Sequence, residues 1–389
     1  VRRARHARIA ALVIGSFAVA VAIVLLSRSN DTAPEGRTEV EDIEATTSAP
    51  LSTDKRVVSD DVRQELLSRA QVWRRPAVPI AQAQFDNLDI ETLSCTLKVS
   101  DVGGTTPKFD CALETGEQAR IKYGSGAEVP AEIAATRLLR VLGFGADDVT
   151  LVRTLRCFGC PEEPFAILKA VELTRAEPLY ERAVDYDHAE TFEWVGYERK
   201  LNARPIVTER LEGWAFFELD SVDPEKGGAP RAHVDALRLL AILIAHWDNK
   251  SENQRLVCLD REWRQGSTCA RPFLILQDVG GTFGPRKVDL ESWEEAPIWE
   301  DRAACRVSMR QLPHGGATFV PAVISESGRR FLGGLLQQLS DRQLTELFAS
   351  ARFDQKRGLF QAASPLAEWV RVFKARTAAI TDGPACPVP

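Results

Sequence analysis

The sequence predicts an α+β protein, with a small lobe of antiparallel strands and one key helix, then a larger and mainly helical lobe, and one transmembrane helix ahead of both. Three observations predict it. Residues 93–123 alternate short β-rich runs with turns marked by Gly, Thr and Pro, the pattern of an antiparallel meander. Residues 130–143 and 233–247 space their apolar side chains by three and four, as a helix with a buried face does. Residues 9–26 carry no charge and follow a cluster of arginines.

At the N-terminus, Arg2, Arg3, Arg5 and Arg8 precede the uncharged run, which at about 1.5 Å per residue reaches about 27 Å, enough to cross the apolar core of a bilayer. The run ends in Leu25-Leu26-Ser27-Arg28 without a small-x-small cleavage site, which favours an uncleaved signal anchor over a cleaved signal peptide. Residues 1–8 are then a cytoplasmic basic segment, and residues 9–26 a single-pass anchor in the inner membrane. The globular part is expected outside the cytoplasm, in the periplasm or at the cell surface. Residues 27–60 are rich in Ser, Thr, Pro and acids and read as a disordered linker. Beyond them a β-rich N-terminal lobe, residues 61–220, precedes a helical catalytic lobe, residues 221–389.

Five runs of the N-terminal lobe read as strands: LSCTLKVS from Leu93, KFDCALE from Lys108, QARIKYG from Gln118, VTLVRTLRC from Val149 and PFAILKAVEL from Pro164. Between the third and fourth, Pro130 suits a first helical turn, Ile133, Leu138, Leu139, Val141 and Leu142 supply an apolar face, and Gly143 stops the helix. Another apolar run surrounds GWAFFELDSVD. Further on, HVDALRLLAILIAHW carries Leu237, Leu239, Leu240, Leu243 and Ile244 as a helix built for burial. The polar stretch HWDNKSEN follows directly. QRLVCL and PFLILQD then read as strands, the second running into Asp278-Val279-Gly280-Gly281, and from about Ser292 the pattern is helical.

All eight cysteines lie in the globular part, and an even count outside the membrane fits disulfides. Sequence neighbours suggest Cys95 with Cys111, Cys157 with Cys160, Cys258 with Cys269 and Cys305 with Cys386. Zinc at Cys157-Phe158-Gly159-Cys160 is the rival reading, but it requires a second ligand pair that no spacing supplies. His188, His233 and His314 likewise lack metal-ligand spacing and read as structural, as does Trp247. The 49 basic and 55 acidic residues are mixed along the chain, net charge -6, so there is no basic stripe and nucleic acid is not expected as a partner.

The order strand-Lys, helix-Glu, buried helix, Asp-x-Lys-x-x-Asn, hairpin, Asp-x-Gly resembles that of the protein-kinase-like superfamily. His246, Asp248, Lys250 and Asn253 match the family's catalytic loop, His-Arg-Asp-x-Lys-x-x-Asn, and Asp278-Val279-Gly280 stands where Asp-Phe-Gly belongs. The resemblance spans roughly residues 93–284. In its disulfide-rich, compact style the chain is similar to atypical and secretory kinases and to the HipA and lipid-kinase-like branches. A two-lobed protein-kinase-like fold is implied, with an ATP- and Mg2+-dependent phosphotransferase acting outside the cytoplasm on an unidentified protein, lipid or small-molecule hydroxyl.

The resemblance also implies roles. Asp248 would orient the acceptor hydroxyl and take its proton, and Lys250 would neutralise the phosphoryl in transfer. Asn253 and Asp278 would hold magnesium, which prefers such hard oxygens with phosphate and water completing its shell. Lys122 would bridge the α and β phosphates, held by Glu132, or failing that by Glu128. Gly103 and Gly104 would offer backbone amides to the phosphates. Each residue also has an ordinary reading: a strand-end lysine, an acid favoured at a helix N-terminus, a turn at Asp278-Val279-Gly280. HWDNKSEN, with four matches between a buried helix and a strand, fits an ordinary loop least. Trp247 replaces the family's arginine, which argues against control through an activation-loop phosphate. No Gly-x-Gly-x-x-Gly is present, and no Ala-Pro-Glu segment follows Asp278-Val279-Gly280-Gly281. The alternative function is a pseudokinase serving as a ligand- or partner-binding module.

Overall fold

The computed structural model describes residues 55–85, 89–201, 203–260, 268–313, 315–355 and 363–387. In chain order the first elements are β1 (Arg56–Val57), α1 (Asp60–Ser68), β2 (Ile90–Lys98), β3 (Lys108–Ala112), β4 (Gln118–Lys122), α2 (Glu128–Val141), β5 (Gly145–Ala146), β6 (Asp148–Phe158), α3 (Pro164–Thr174), α4 (Glu177–Ala183), β7 (Ala189–Arg199) and β8 (Arg204–Val207). Then come α5 (Arg231–Leu243), β9 (Gln254–Cys258), β10 (Pro272–Leu276), α6 (Leu290–Glu295), β11 (Arg306–Val307), β12 (Ala322–Val323), α7 (Glu326–Leu336), α8 (Asp341–Ser350) and α9 (Leu366–Thr381). The chain divides into two units, Val1–Ala49 with Pro178–Val184, and Pro50–Glu177 with Asp185–Pro389. All that follows concerns the second.

The N-terminal strands close into a barrel in the order β2-β3-β4-β7-β6. Four of its pairings are antiparallel, but β2 and β6 run parallel, with Cys95 opposite Cys157, so the sheet is not purely antiparallel as the meander pattern predicts. The turn at Thr115-Gly116 sets the β3–β4 hairpin in a register that puts Lys108 directly opposite Lys122. Two corrections to the strand list follow. The run from Pro164 is the helix α3, with Pro164 at its first position, where a missing N–H is harmless. A short apolar run fits a buried helix turn as well as a strand, and here Leu168 and Val171 are buried while Leu173 is open to solvent. The fifth barrel strand is instead β7, AETFEWVGYER, which lacks a clean alternation because Glu198 is buried while Thr191 and Glu193 are exposed. The apolar run after Gly213 forms a short 3-10 turn, Phe216–Ser221.

In the C-terminal part α5 is buried on nearly every side. Burial of each of Leu237, Leu239, Leu240 and Leu243 contributes about 1.5–3 kcal/mol. Its charged residues are paired, Arg231 with Asp235 at 2.8 Å and Arg238 with Asp220 at 2.7 Å. The last carbonyls of a helix lack intrahelical donors. Here the buried Arg376 guanidinium of α9 supplies them, donating to Ile242 and Leu243, both at 3.0 Å. The direction of the chain as it leaves α5 is thereby set. β9 and β10 form a hairpin within the sheet β1-β8-β9-β10-β5, and Trp293, Phe283, Phe348, Phe353 and Trp369 pack behind it as an aromatic core. The cysteines pair as neighbours in the sequence suggest: Cys95–Cys111, Cys157–Cys160, Cys258–Cys269 and Cys305–Cys386.

The expected transmembrane helix ahead of the two lobes needs correction. Residues 9–26 lie outside the described residues, and among the described residues no helix is long and apolar enough to cross a membrane. The described residues therefore form a mixed α+β fold that holds no membrane-spanning helix, and the single-pass, extracytoplasmic localisation is not supported. His314 also lies outside the described residues.

Candidate functional site

Lys122 ends β4 with its ammonium facing inward, almost fully buried at 2% exposure. Three acids surround it: Glu132 of α2 at 2.6 Å, Asp278 at 3.5 Å and Glu198 of β7 at 3.6 Å. Glu132 reaches it from the second turn of α2, whereas Glu128, the first residue of that helix, turns away to Lys287. Glu198 also pairs with Lys200, which lies 3.3 Å from the buried Asp147, and Asp147 in turn holds Arg255 of β9. A chain of paired charges thus runs from the barrel to β9, with Glu198 and Asp147 buried and Lys200 partly exposed.

Three carboxylates cannot all ionise around one buried ammonium at no cost, and the titration of the cluster reflects this. Burial favours the neutral form of Lys122, but Glu132, Asp278 and Glu198 together overcome it and hold its pKa well above the ordinary value. Burial, aided by Asp278 and Glu198, pushes Glu132 up to about 8 against the pull of Lys122. Glu198 and Asp278 are also penalised by burial, yet both stay below the ordinary carboxylate range, Glu198 through Lys200 and Lys122, Asp278 through Lys122. The proton that the cluster retains near neutrality therefore sits on Glu132, the one acid with no exposure.

The polar stretch after α5 forms the other wall. Ser251–Asn253 make one 3-10 turn, and the Asn253 side-chain amide donates to the Asp248 carbonyl at 2.6 Å. The Asn253 carbonyl accepts from the amides of Gln277 at 2.8 Å and Asp278 at 3.2 Å. Asp248 and Asp278 are thus positioned by the same residue. Lys250 lies 3.0 Å from Asp248, a contact that raises its pKa. Asn249 is fully buried and serves the scaffold, its side-chain oxygen accepting from the amides of Thr318 at 2.8 Å and Phe319 at 2.9 Å. Trp247 ties the stretch to the turn after β10 through its amide, which donates to the Gly281 carbonyl at 3.2 Å. At Gly281 the two segments approach so closely that a Cβ would lie 2.8 Å from that of Asp248. His246 is buried beneath them, and burial holds its pKa down at about 4.

Six residues expected to act together, Lys122, Glu132, Asp248, Lys250, Asn253 and Asp278, are therefore joined by contacts into one cluster. Gly103 and Gly104 lie in the loop between β2 and β3, where Gly104 has φ +76° and a Cβ would lie 3.3 Å from the Lys108 ammonium. Sequence reasoning missed Lys108 and Glu198. Lys108 had a signal, since it and Lys122 are equidistant from Thr115 across an evident hairpin turn. Glu198 had none, because β7 itself was not read as a strand. As donors for a metal, Asp278 offers a carboxylate with 30% of its side chain open and Asn253 an amide oxygen, on two residues joined by a backbone hydrogen bond. That hard-oxygen set suits magnesium accompanied by phosphate and water, so the residues fit the group.

No protein-family model matches the chain, and no curated protein matches it either. Among solved structures the chain is similar to the crystal structure of a Helicobacter pylori proinflammatory kinase, CtkA, at 9% sequence identity and a TM-score of 0.41, covering 75% of this chain and 97% of that chain. A likeness this loose carries no argument, and the reading of the site rests on its own geometry.

Proposed function

We propose that this cluster is the active site of an ATP- and Mg2+-dependent phosphotransferase with a hydroxyl acceptor. The observation that carries the reading is the Lys122–Glu132 pair at 2.6 Å with Asp278 3.5 Å from the same ammonium, and Asn253 bonded to both Asp278 and Asp248. A fully buried lysine ringed by acids is costly as mere structure, whereas phosphates and a divalent cation bring the charges that such a cluster is built to share.

In this reading Lys122 binds the phosphates nearest the ribose, and Glu132 fixes its ammonium in place. Asn253 and Asp278 would hold magnesium, whose charge would neutralise that of the phosphates of ATP, the donor of the γ-phosphoryl. Asp248 orients the acceptor hydroxyl. As the acceptor oxygen bonds to the γ-phosphorus and the bond to the bridging oxygen of the leaving diphosphate breaks, Asp248 takes the hydroxyl proton. Lys250, already 3.0 Å from Asp248, neutralises the charge in transit. The Asn253 hydrogen bonds hold base and metal ligands in mutual register, which matters because phosphoryl transfer draws mainly on positioning.

A thermal unfolding scan with and without Mg·ATP, run beside Asp278→Ala, tests the proposal. Saturation at a hundred times Kd adds about 2.7 kcal/mol to stability. A magnesium-dependent rise in the native protein and none in the variant is the expected result. No rise in the native protein would overturn it.

A further inference from the structure

Lys108 poses a problem that the reading above leaves unsolved. It is 8% exposed, and it stands directly opposite Lys122 in the β3–β4 ladder. Directly opposed residues in such a ladder share a face, with Cβ atoms about 4.5–5.5 Å apart, and like charges there repel. Lys122 is compensated by three acids, yet among the described residues Lys108 forms neither an ion pair nor a side-chain hydrogen bond. Asp278 and Glu128 attract it only from a distance, and burial together with Lys122 lowers its pKa. Its ammonium lies against Gly104, in the loop between β2 and β3. A buried ammonium without an ion-pair partner, beside a second ammonium on the same face of the sheet, is a half-built anion site.

We propose that Lys108 is a second phosphate-binding residue, completing with Lys122 a two-lysine cradle for successive phosphates, so that the donor must carry a polyphosphate chain. This rests on the phosphotransferase reading and deepens it: the pair selects di- and triphosphates over monophosphates. Gly104, free of a Cβ and in the left-handed region, lets the loop backbone reach the same phosphates.

The test uses the full chain, as wild type, Lys108→Met and Lys108→Arg, with three probes in magnesium: ATP, AMP and inorganic tripolyphosphate. Calorimetry gives each Kd, and thermal scans without ligand give the midpoints. Expected is a rise of about tenfold or more in Kd for ATP and tripolyphosphate in Lys108→Met, an AMP affinity unchanged within about twofold, and recovery of most ATP affinity in Lys108→Arg. Without ligand, Lys108→Met melts higher than wild type, because it removes a buried, repelled charge. A Lys108→Met protein that binds ATP like wild type, that melts lower, or that fails to fold would overturn the inference and leave Lys108 a packing residue. Wild type that binds tripolyphosphate through Lys108 but neither nucleotide would support the cradle while overturning ATP as the donor. Wild type that binds none of the probes would overturn both.

Discussion

The backbone carbonyl of Asn253 accepts the amide hydrogen of Asp278 at 3.2 Å, while its side-chain amide donates to the Asp248 carbonyl at 2.6 Å. One residue on a short turn, through its backbone and its side chain, therefore links two acids that come from different segments. Asn253→Ala keeps the backbone bond but deletes the side-chain donor and the amide oxygen offered to a metal. The variant should lose about 1–2 kcal/mol of stability in urea titrations and lose magnesium-dependent ATP binding. Unchanged magnesium dependence would remove Asn253 from the proposed metal site.

The pH dependence of stability should report the proton on Glu132. Its folded value of about 8 lies above the ordinary 4.5, so between these values the folded protein holds a proton that the unfolded chain has released. Stability therefore falls as pH rises through that window. His246 acts oppositely, with a folded value of about 4 against 6.5, so its effect is a loss of stability as pH falls below 6.5. Between pH 6.5 and 8 the Glu132 slope remains without the His246 one. Urea titrations across this interval should show the slope in wild type and not in Glu132→Gln; equal slopes would place the proton elsewhere.

Gly281 should tolerate no side chain. A Cβ there would lie 2.8 Å from the Asp248 Cβ, a distance that one of the two segments must relieve by moving. Gly281→Ala should cost about 1–3 kcal/mol and reduce phosphotransfer along with it. A variant of native stability and full activity would show that the two segments part easily.

The Cys305–Cys386 disulfide closes a loop across a sequence separation of 81 and joins the region before β11 to the chain beyond α9. Chain-entropy reasoning gives it about 4.5 kcal/mol. Replacing both cysteines with Ser should lower the urea midpoint accordingly and act through α9, whose Arg376 caps the helix leading to Asp248. A loss below about 1 kcal/mol would mean that α9 holds its place by packing alone.

Much of this architecture was legible in the sequence, for reasons of range. The helix after Ala127, the buried α5 and the β9–β10 hairpin follow from spacing and turn residues a few positions apart. Asp248, Lys250 and Asn253 lie near one another in any fold of a single short loop. The strand β7 escaped because it buries a glutamate, Glu198, and so lacks a clean alternation, and the run from Pro164 misled because a short apolar segment carries too few repeats to tell a strand from a helix.

By itself the sequence determined the local periods, the turn positions and the loop that joins base and metal-ligand candidates, because these depend on neighbours along the chain. Only the tertiary structure decided which charges meet. That Lys122 finds Glu132 rather than Glu128, that Glu198 joins them, that Lys108 is buried without a partner and that Glu132 keeps the proton all follow from barrel closure and desolvation. Those forces act between residues far apart in the chain, where register and burial exist only once the sheet has closed.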